Sequence, residues 1–318
     1  MSWTDSSGNL WLFGGDQFND LWEFNPTAKT WTWVSGSSEP SNSVLFGVYG
    51  SLGVPAAANV PGGRYGSVSW IDTKGNLWLF GGSGLDSTGM LGSLNDLWEF
   101  NPVTKEWTWV SGSNTAGANG VYGTQGVASA GNVPGARTEA VSWIDSGGNL
   151  WLFGGSSTGN AGDLNDLWEF NPVTKEWTWV SGSNVTGASR GVYGTQGVAA
   201  DSNVPGSREG AVSWIDADGN LWLFGGTYSA SPGGNLNDLW KFNPVTKEWT
   251  WVSGSNVTGA SRGVYGTQGV AADSNVPGSR ENAAGWIDAD GNLWLFGGTG
   301  PDSTGALGNL NDLWRYQP

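Results

Sequence analysis

The chain has 318 residues, and its 13 basic and 28 acidic residues give a formal net charge of −15. Because so few, scattered basic residues cannot neutralise rows of phosphates, the composition argues against nucleic acid and an anionic membrane surface as partners. The chain contains neither cysteine nor histidine, which excludes disulfides, thiolate nucleophiles, serine triads and three-histidine zinc sites.

One tract, Asn-Leu-Trp-Leu-Phe-Gly-Gly, recurs five times and organises the chain. The copies begin at Asn9, Asn76, Asn149, Asn220 and Asn292, at spacings of 67, 73, 71 and 72 residues. Periods of this length exceed a helical repeat and are typical of propeller blades. The 54 glycines, about twice average usage, occur together with 13% aromatic residues. This combination favours many turns around a core over disorder.

Each unit contains four short apolar runs that predict four strands. In the third unit these runs are EAVSWID, NLWLFGG, LNDLWEFN and EWTWVSG. Alternation along EWTWV places Trp177 and Trp179 on one face and Thr178 on the other. In LWLF both faces are apolar, so this strand is expected to be buried on both sides, as in a blade stacked between two others.

The connections between the runs are of two kinds. The first-to-second link is a tight Asp/Gly hairpin, and the third-to-fourth link is almost always NPVTKE. The second-to-third link varies, and the fourth-to-first link is long. Since alternate links of a meander lie at opposite ends, the variable and long links are expected to share one end, where a ligand would bind.

The units predict a single domain, 1–318, with blades at about 1–37, 64–113, 137–183, 208–255 and 280–318. The fourth run occurs only four times, so the last blade is expected to lack its outer strand. An open edge invites pairing with another chain. We expect a five-bladed ring that can form a homodimer through this blade, or five blades that join a second chain in a larger ring.

Two long segments, Phe170–Glu209 and Phe242–Glu281, are identical in sequence, which indicates recent duplication. All 23 tryptophans fall at repeat positions, so they are expected to build the core and none is left for a sugar-binding platform. No apolar run reaches the length of a membrane helix, and no signal peptide is recognised.

The runs LWLFGG, NDLWEF and EWTWV resemble those of Kelch-repeat β-propellers, above all the tandem Kelch-like repeats of bacterial proteins. The resemblance implies an all-β, five-bladed fold with four-stranded antiparallel blades. It also implies a first strand that lines a central channel, and a secreted or periplasmic location. The units are longer than usual for the family because of the long fourth-to-first link.

An arginine precedes the first-strand tryptophan by six residues in four units. The resemblance implies that these arginines circle the channel mouth and grip acidic ligands, since a guanidinium fits carboxylate or phosphate. The predicted ligand-binding residues are Arg64, Tyr65, Arg137, Glu139, Arg208, Glu209, Arg280 and Glu281. In the alternative, each arginine pairs with a neighbouring glutamate or a loop carbonyl.

Two acidic patterns are expected to be structural. Each LNDLW run, or its equivalent, carries an aspartate that is expected to bond nearby backbone N–H groups; these are Asp20, Asp96, Asp166, Asp238 and Asp312. The DADGN segments at Asp216–Asn220 and Asp288–Asn292 are too short for an EF-hand loop and are interpreted as hairpin turns.

These observations favour a non-catalytic module that binds a protein or carbohydrate and requires no cofactor. A galactose-oxidase activity is excluded, because copper radical oxidases need histidine ligands and a Tyr–Cys cofactor, and the sialidase sequence boxes are absent. The alternative is a promiscuous, phosphotriesterase-like phosphoester or ester hydrolase that holds calcium, manganese or zinc and uses Glu209, Glu281, Arg208 and Arg280. A third reading is an amplified repeat with no selected ligand.

Overall fold

The computed structural model describes residues 1–16, 18–38, 45–157, 162–185, 187, 189–229, 233–257, 259 and 261–318. The described residues form strands, turns and loops. They include no helix with the length and apolar character that a membrane crossing needs.

The first two blades are antiparallel meanders. Blade one has the strand order β1 (Ser2–Thr4), β2 (Leu10–Gly15), β3 (Phe18–Asn25), β4 (Thr30–Ser35). In blade two, β5 (Arg64–Tyr65) and β6 (Val68–Ile71) both pair with β7 (Leu77–Leu85), followed by β8 (Leu91–Asn101) and β9 (Glu106–Ser111).

The next two blades repeat this order. Blade three contains β10 (Val141–Ile144), β11 (Leu150–Phe153), β14 (Leu167–Asn171) and β15 (Glu176–Ser181), with the ribbon β12 (Ser156–Ser157) and β13 (Gly162–Asp163). Blade four contains β16 (Val212–Ile215), β17 (Leu221–Phe224), β20 (Leu239–Asn243) and β21 (Glu248–Ser253), with the ribbon β18 (Thr227–Tyr228) and β19 (Gly234–Asn235).

Within the described residues, the sheet of blade five has three strands. They are β22 (Ala284–Ile287), β23 (Leu293–Phe296) and β26 (Leu313–Tyr316), with the ribbon β24 (Thr299–Pro301) and β25 (Leu307–Asn309). The prediction of an all-β, five-bladed propeller with four-stranded blades and an incomplete last blade is therefore confirmed.

The chain divides into two compact units, and the division falls within the third blade. One unit includes Met1–Leu150 and Trp168–Trp179, and the other includes Trp151–Ser156, Gly162–Leu167 and Val180–Pro318. The single domain predicted from the sequence stays a prediction.

Aromatic side chains of adjacent blades form the core of each unit. In the first unit the Phe13 and Trp107 rings lie 5.5 Å apart in an edge-on contact. In the second unit Phe153 and Trp249 repeat that contact at 5.6 Å. Nine tryptophans are essentially fully buried: Trp78, Trp98, Trp107, Trp151, Trp168, Trp177, Trp222, Trp240 and Trp249. The exposed tryptophans lie in the first and last blades and are Trp31, Trp33 and Trp286.

The hairpin between the first and second strands is closed by its aspartate, as predicted. Asp216 Oδ1 accepts the N–H groups of Asp218 and Asn220, and Oδ2 accepts the indole N–H of Trp222 at 2.8 Å. Asp288 makes the equivalent bonds. Both carboxylate oxygens of Asp216 and of Asp288 therefore have partners within their own hairpin.

The long and variable links share one end of blade two, as expected. The Gly117 N–H bonds to the Ser93 carbonyl at 2.8 Å, and the Ser87 N–H bonds to the Asn114 carbonyl at 3.0 Å. These hydrogen bonds join the link that leaves the outer strand to the β7–β8 extension. Loops at this end therefore support one another.

Candidate functional site

The predicted arginines point into the protein interior. Each side chain is exposed by 1% or less: Arg64, Arg137, Arg208 and Arg280. Arg64 donates two hydrogen bonds of 2.7 Å to the two carboxylate oxygens of Asp96. Its remaining bonds go to the carbonyls of Gly62 and Gly81, at 3.0 and 3.1 Å. This guanidinium is therefore satisfied by its own chain.

The same arrangement recurs in the second unit. Arg208 bonds to both oxygens of Asp238 at 2.7 Å, and Arg280 bonds to those of Asp312 at 2.6 and 2.8 Å. The alternative prediction named a neighbouring glutamate or a loop carbonyl, and a loop carbonyl does accept from each arginine. The carboxylate partner is the aspartate that enters the third strand, and not a neighbouring glutamate.

A tyrosine and a tryptophan complete each cluster. Asp96 accepts the Tyr49 hydroxyl at 2.6 Å and the Trp98 indole N–H at 2.7 Å. Tyr193 and Trp240 bond in the same way to Asp238, and Tyr265 and Trp314 to Asp312. We call each such set of four side chains an Arg–Asp–Tyr–Trp cluster. Asp96, Asp238 and Asp312 therefore have the structural role predicted for them, but the partners of their carboxylates are side chains and not the backbone N–H groups expected.

The cluster keeps both its charges. Burial disfavours the ionised form of Asp238, but the charge and hydrogen bonds of Arg208, together with hydrogen bonds from Trp240 and Tyr193, outweigh it and lower the pKa of the carboxyl below its usual value. The pKa of Asp312 falls to about 2 for the same reasons. Burial, together with the adjacent carboxylate, raises the pKa of Tyr193. The tyrosine therefore stays protonated at neutral pH and cannot serve as a general base.

The other predicted site residues lie beside the arginines at the surface or partly buried. Tyr65 is exposed, and Glu139 has a left-handed backbone (φ 55°) with its N–H bonded to Gly66 O at 2.8 Å. Glu209 and Glu281 are half-buried and pair through their backbones with Thr227 and Thr299.

Among the described residues, no three His, Cys, Asp or Glu side chains lie close enough to hold a metal ion. All four arginines are buried, and Arg64, Arg208 and Arg280 each bond to an aspartate and to two backbone carbonyls, so the geometry does not present them to a ligand. Ligand binding and catalysis by the eight residues remain predictions.

The Arg–Asp–Tyr–Trp clusters were not predicted from the sequence, although their members recur at nearly constant separations. Arg64 and Asp96 are 32 residues apart, and so are Arg280 and Asp312.

Comparison with known proteins agrees with this repeated geometry. The family model described as the KLHDC2/KLHL20/DRC7 Kelch-repeats domain matches residues 51–192 and 124–266, which together exceed half of the chain. The chain belongs to the Kelch-repeat family. No curated protein resembles this Kelch chain closely enough to count as a match.

A solved structure, "Structure of YjhT", has a similar fold. It is 16% identical to the Kelch chain and superposes with a TM-score of 0.58, covering 94% of this chain and 72% of its own. At this identity the likeness shows the fold alone.

The links of the Kelch blades present apolar side chains on a fixed backbone. Val121 and Val133 pair as a bridge, and Asn132 Nδ2 bonds to the Val127 and Trp177 carbonyls, both at 3.0 Å. The later links repeat this geometry. The exposed side chains of the long links include an equivalent pair of valines in each link, the first link among them: Val48 and Val54, Val121 and Val127, Val192 and Val198, and Val264 and Val270.

Proposed function

We propose that this Kelch propeller is a non-catalytic module that binds a protein ligand on its long links. The observation that carries the proposal is the repeated pair of exposed valines on a link whose backbone is already fixed by hydrogen bonds. A rigid loop loses little conformational freedom on binding, so more of the contact energy appears as affinity. Loops on a stable scaffold are where binding sites concentrate.

A protein ligand suits these links better than a carbohydrate. The apolar side chains they expose are mostly valines, and the link tyrosines lie tilted against tryptophans of the blade that follows; the Tyr193 and Trp240 rings are 4.9 Å apart at 47°. In the described parts of these links the tyrosine rings thus pack against indoles, which leaves little aromatic surface for a flat sugar face. Exposed apolar groups on rigid loops are instead typical of the apolar core of a protein interface.

The hydrolase alternative has less support. It needs carboxylates that converge on a cation and arginines that can reach the substrate. Arg208 and Arg280 instead use their guanidinium groups on Asp238 and Asp312.

The test uses arrays of peptides and of glycans, probed with the whole chain. Val192→Asp combined with Val198→Asp is expected to weaken binding to any peptide hit about tenfold or more, because charges replace buried apolar contacts. The matched control is Val245→Asp, which changes an exposed valine on the NPVTKE turn.

Binding that survives the double variant, or hits confined to glycans, would contradict the proposal. Turnover of a generic phosphoester with calcium, manganese or zinc, abolished by chelator and by Glu209→Ala, would favour the hydrolase.

A further inference from the structure

We propose that the links before blades four and five pair with the same links of a second copy of the chain. We call their residues 189–207 and 261–279 the charged links. Each charged link has an exposed arginine and an exposed aspartate on opposite sides of its valines, so its surface is complementary to itself. The inference rests on the function proposed above and names the ligand of those links.

The cation of each charged link is an arginine outside the buried clusters, Arg190 or Arg262. Both side chains are exposed, and among the described residues neither guanidinium has a hydrogen-bond or ion-pair partner. The Arg262 guanidinium lies over Gly305, where a Cβ atom would be 2.5 Å from Nε. Both cations are therefore accessible to a partner molecule.

The anion of each charged link is an exposed aspartate, Asp201 or Asp273. Asp201 lies in a turn that the Asn203 N–H closes on the Ala200 carbonyl at 3.2 Å, and the equivalent bond from the Asn275 N–H is 2.9 Å long. In the part of the chain that the structure describes, neither carboxylate has a partner. Each charged link thus presents one accessible charge of each sign.

The two charges lie on opposite sides of the valines. Val192 and Val204 form an antiparallel bridge through N–H···O bonds of 2.7 and 2.9 Å. Arg190 precedes Val192, and Asp201 precedes Val204. Residues that precede the two members of an antiparallel bridge lie on opposite sides of it. The second charged link repeats this bridge, so each link leads from a cation across apolar side chains to an anion.

A two-fold rotation makes this surface complementary to itself. The arginine of one copy then faces the aspartate of the other, and the exposed valines meet between the two ion pairs. An apolar centre with a polar rim is the usual composition of a protein interface. Because the two charged links have the same sequence, either link of one copy fits either link of the other.

The arginine can change its orientation while the valines keep their places. Gly191, which follows Arg190, has a φ of 78°, whereas Gly263 of the identical sequence lies outside the left-handed region. Glycine adopts both conformations at little cost. The valines nevertheless agree, since Val192 is 52% exposed and Val264 is 51% exposed. The apolar centre is therefore fixed, and the cation adapts to its partner.

The charges favour a second copy of the chain over an unrelated protein. The net charge of −15 makes two copies repel one another over most of their surfaces. The charged links avoid this repulsion, because each has one cation and one anion. A second copy brings the matching order of charges with it, whereas an unrelated partner would need an acidic and a basic group placed around an apolar segment.

The long links of the first unit have neither charge. Where the charged links have arginine and aspartate, these links have uncharged residues: Phe46 and Ala57 in one, and Asn119 and Ala130 in the other. The two charges are thus present together or absent together, as expected if they act as a pair. Self-association should therefore depend on the charged links alone.

The experiment measures self-association of the whole chain by sedimentation equilibrium. An acidic variant combines Arg190→Asp with Arg262→Asp, and a basic variant combines Asp201→Arg with Asp273→Arg. In each variant the facing positions have the same sign, so self-association is expected to weaken by about tenfold or more.

Mixing the two variants provides the sharper test. The acidic variant then faces the basic one, every facing pair has opposite signs again, and the mixed pair has the same total charge as two parent chains. A heterodimer with about the affinity of the parent dimer is therefore expected.

The matched control combines Lys74→Asp with Lys105→Asp. It changes the net charge by as much as the acidic variant does, at exposed positions outside the long links. Its self-association is expected to equal that of the parent chain. Circular dichroism checks that all the variants remain folded.

Three results would overturn the inference. They are a parent chain that stays monomeric at millimolar concentration, charge variants that self-associate as the parent does, and variants that do not associate when mixed. The second result would favour the contact through blade five that the sequence suggested.

The peptide arrays test the proposed function separately. Peptide hits that depend on Val192 and Val198, with a monomeric parent chain, would support that function and overturn this inference. A parent dimer that the charge variants disrupt, without any peptide hit, would support this inference and identify the folded chain as the ligand.

Discussion

Blades two and five contain the same cluster in different surroundings. Arg64 and Asp96 are both completely buried, whereas Arg280 is buried and the Asp312 side chain is 15% exposed. Tyr49 is buried and Tyr265 is not. All the hydrogen bonds of the cluster nevertheless form in blade five, which has no outer strand in its sheet.

This difference between blades two and five distinguishes two contributions to each cluster, its geometry and its shielding from water. The link and the inner three strands suffice for the geometry of the cluster, and we expect an outer strand to reduce the access of water to it. Because charge interactions strengthen as water is excluded, the same bonds are expected to contribute more in the closed blades.

The largest expected effect comes from removing one charge of a cluster. Arg208→Ala leaves Asp238 buried without its counter-ion and is expected to reduce the free energy of unfolding by about 3–5 kcal/mol. Arg280→Ala leaves a carboxylate that water can reach, and about 1–3 kcal/mol is expected. Urea unfolding of the two variants measures the difference. Equal losses would show that the outer strand does not control the strength of the pair.

Truncating an outer-strand tryptophan is expected to have the next largest effect. Trp249→Ala removes a buried ring that contacts Phe153 and Trp240, at a cost of about 3–5 kcal/mol. Trp31→Ala changes the equivalent residue of blade one, which is 53% exposed, so a loss of about 1 kcal/mol is expected. Thermal unfolding of both variants tests this contrast, which fails if Trp31→Ala is as damaging as Trp249→Ala.

The smallest expected effect is a dependence of stability on pH. The pKa of Asp312 is about 2 in the folded chain and 3.8 for an ordinary aspartate. A lowered pKa means that ionised Asp312 stabilises the fold above about pH 4, and this contribution is lost as the pH falls toward 2. The difference in unfolding free energy between the parent chain and Asp312→Asn should therefore shrink over this range. A difference that stays constant down to pH 2 would contradict the assignment.

Much of the fold could be predicted because the residues of each strand indicate that strand without reference to distant parts of the chain. LWLF is apolar on both faces, and Asp216–Asn220 has the composition of a tight turn, so both could be interpreted without knowing their neighbours. The three-stranded last blade followed directly from the distribution of the fourth run.

The clusters could not be predicted in the same way. Arg208 and Asp238 are separated by 30 residues, and only the packing of the first strand against the second and third brings them together. Arg208 and Glu209 are neighbours in the sequence, which suggested that they pair. The chain turns at this point, however, and the Arg208 guanidinium donates to the Gly225 carbonyl in the interior. Whether a charged residue faces a ligand or the core depends on that turn.

Pairs of perpendicular tryptophan rings are expected to contribute to the circular dichroism of the chain. Trp98 and Trp107 lie 6.3 Å apart at 89°, and Trp240 and Trp249 repeat this pair at 6.3 Å and 88°. Because neighbouring indole transition dipoles at a fixed geometry couple, the circular dichroism of the native chain at about 230 nm is expected to change when an outer strand separates from its blade, without any added dye.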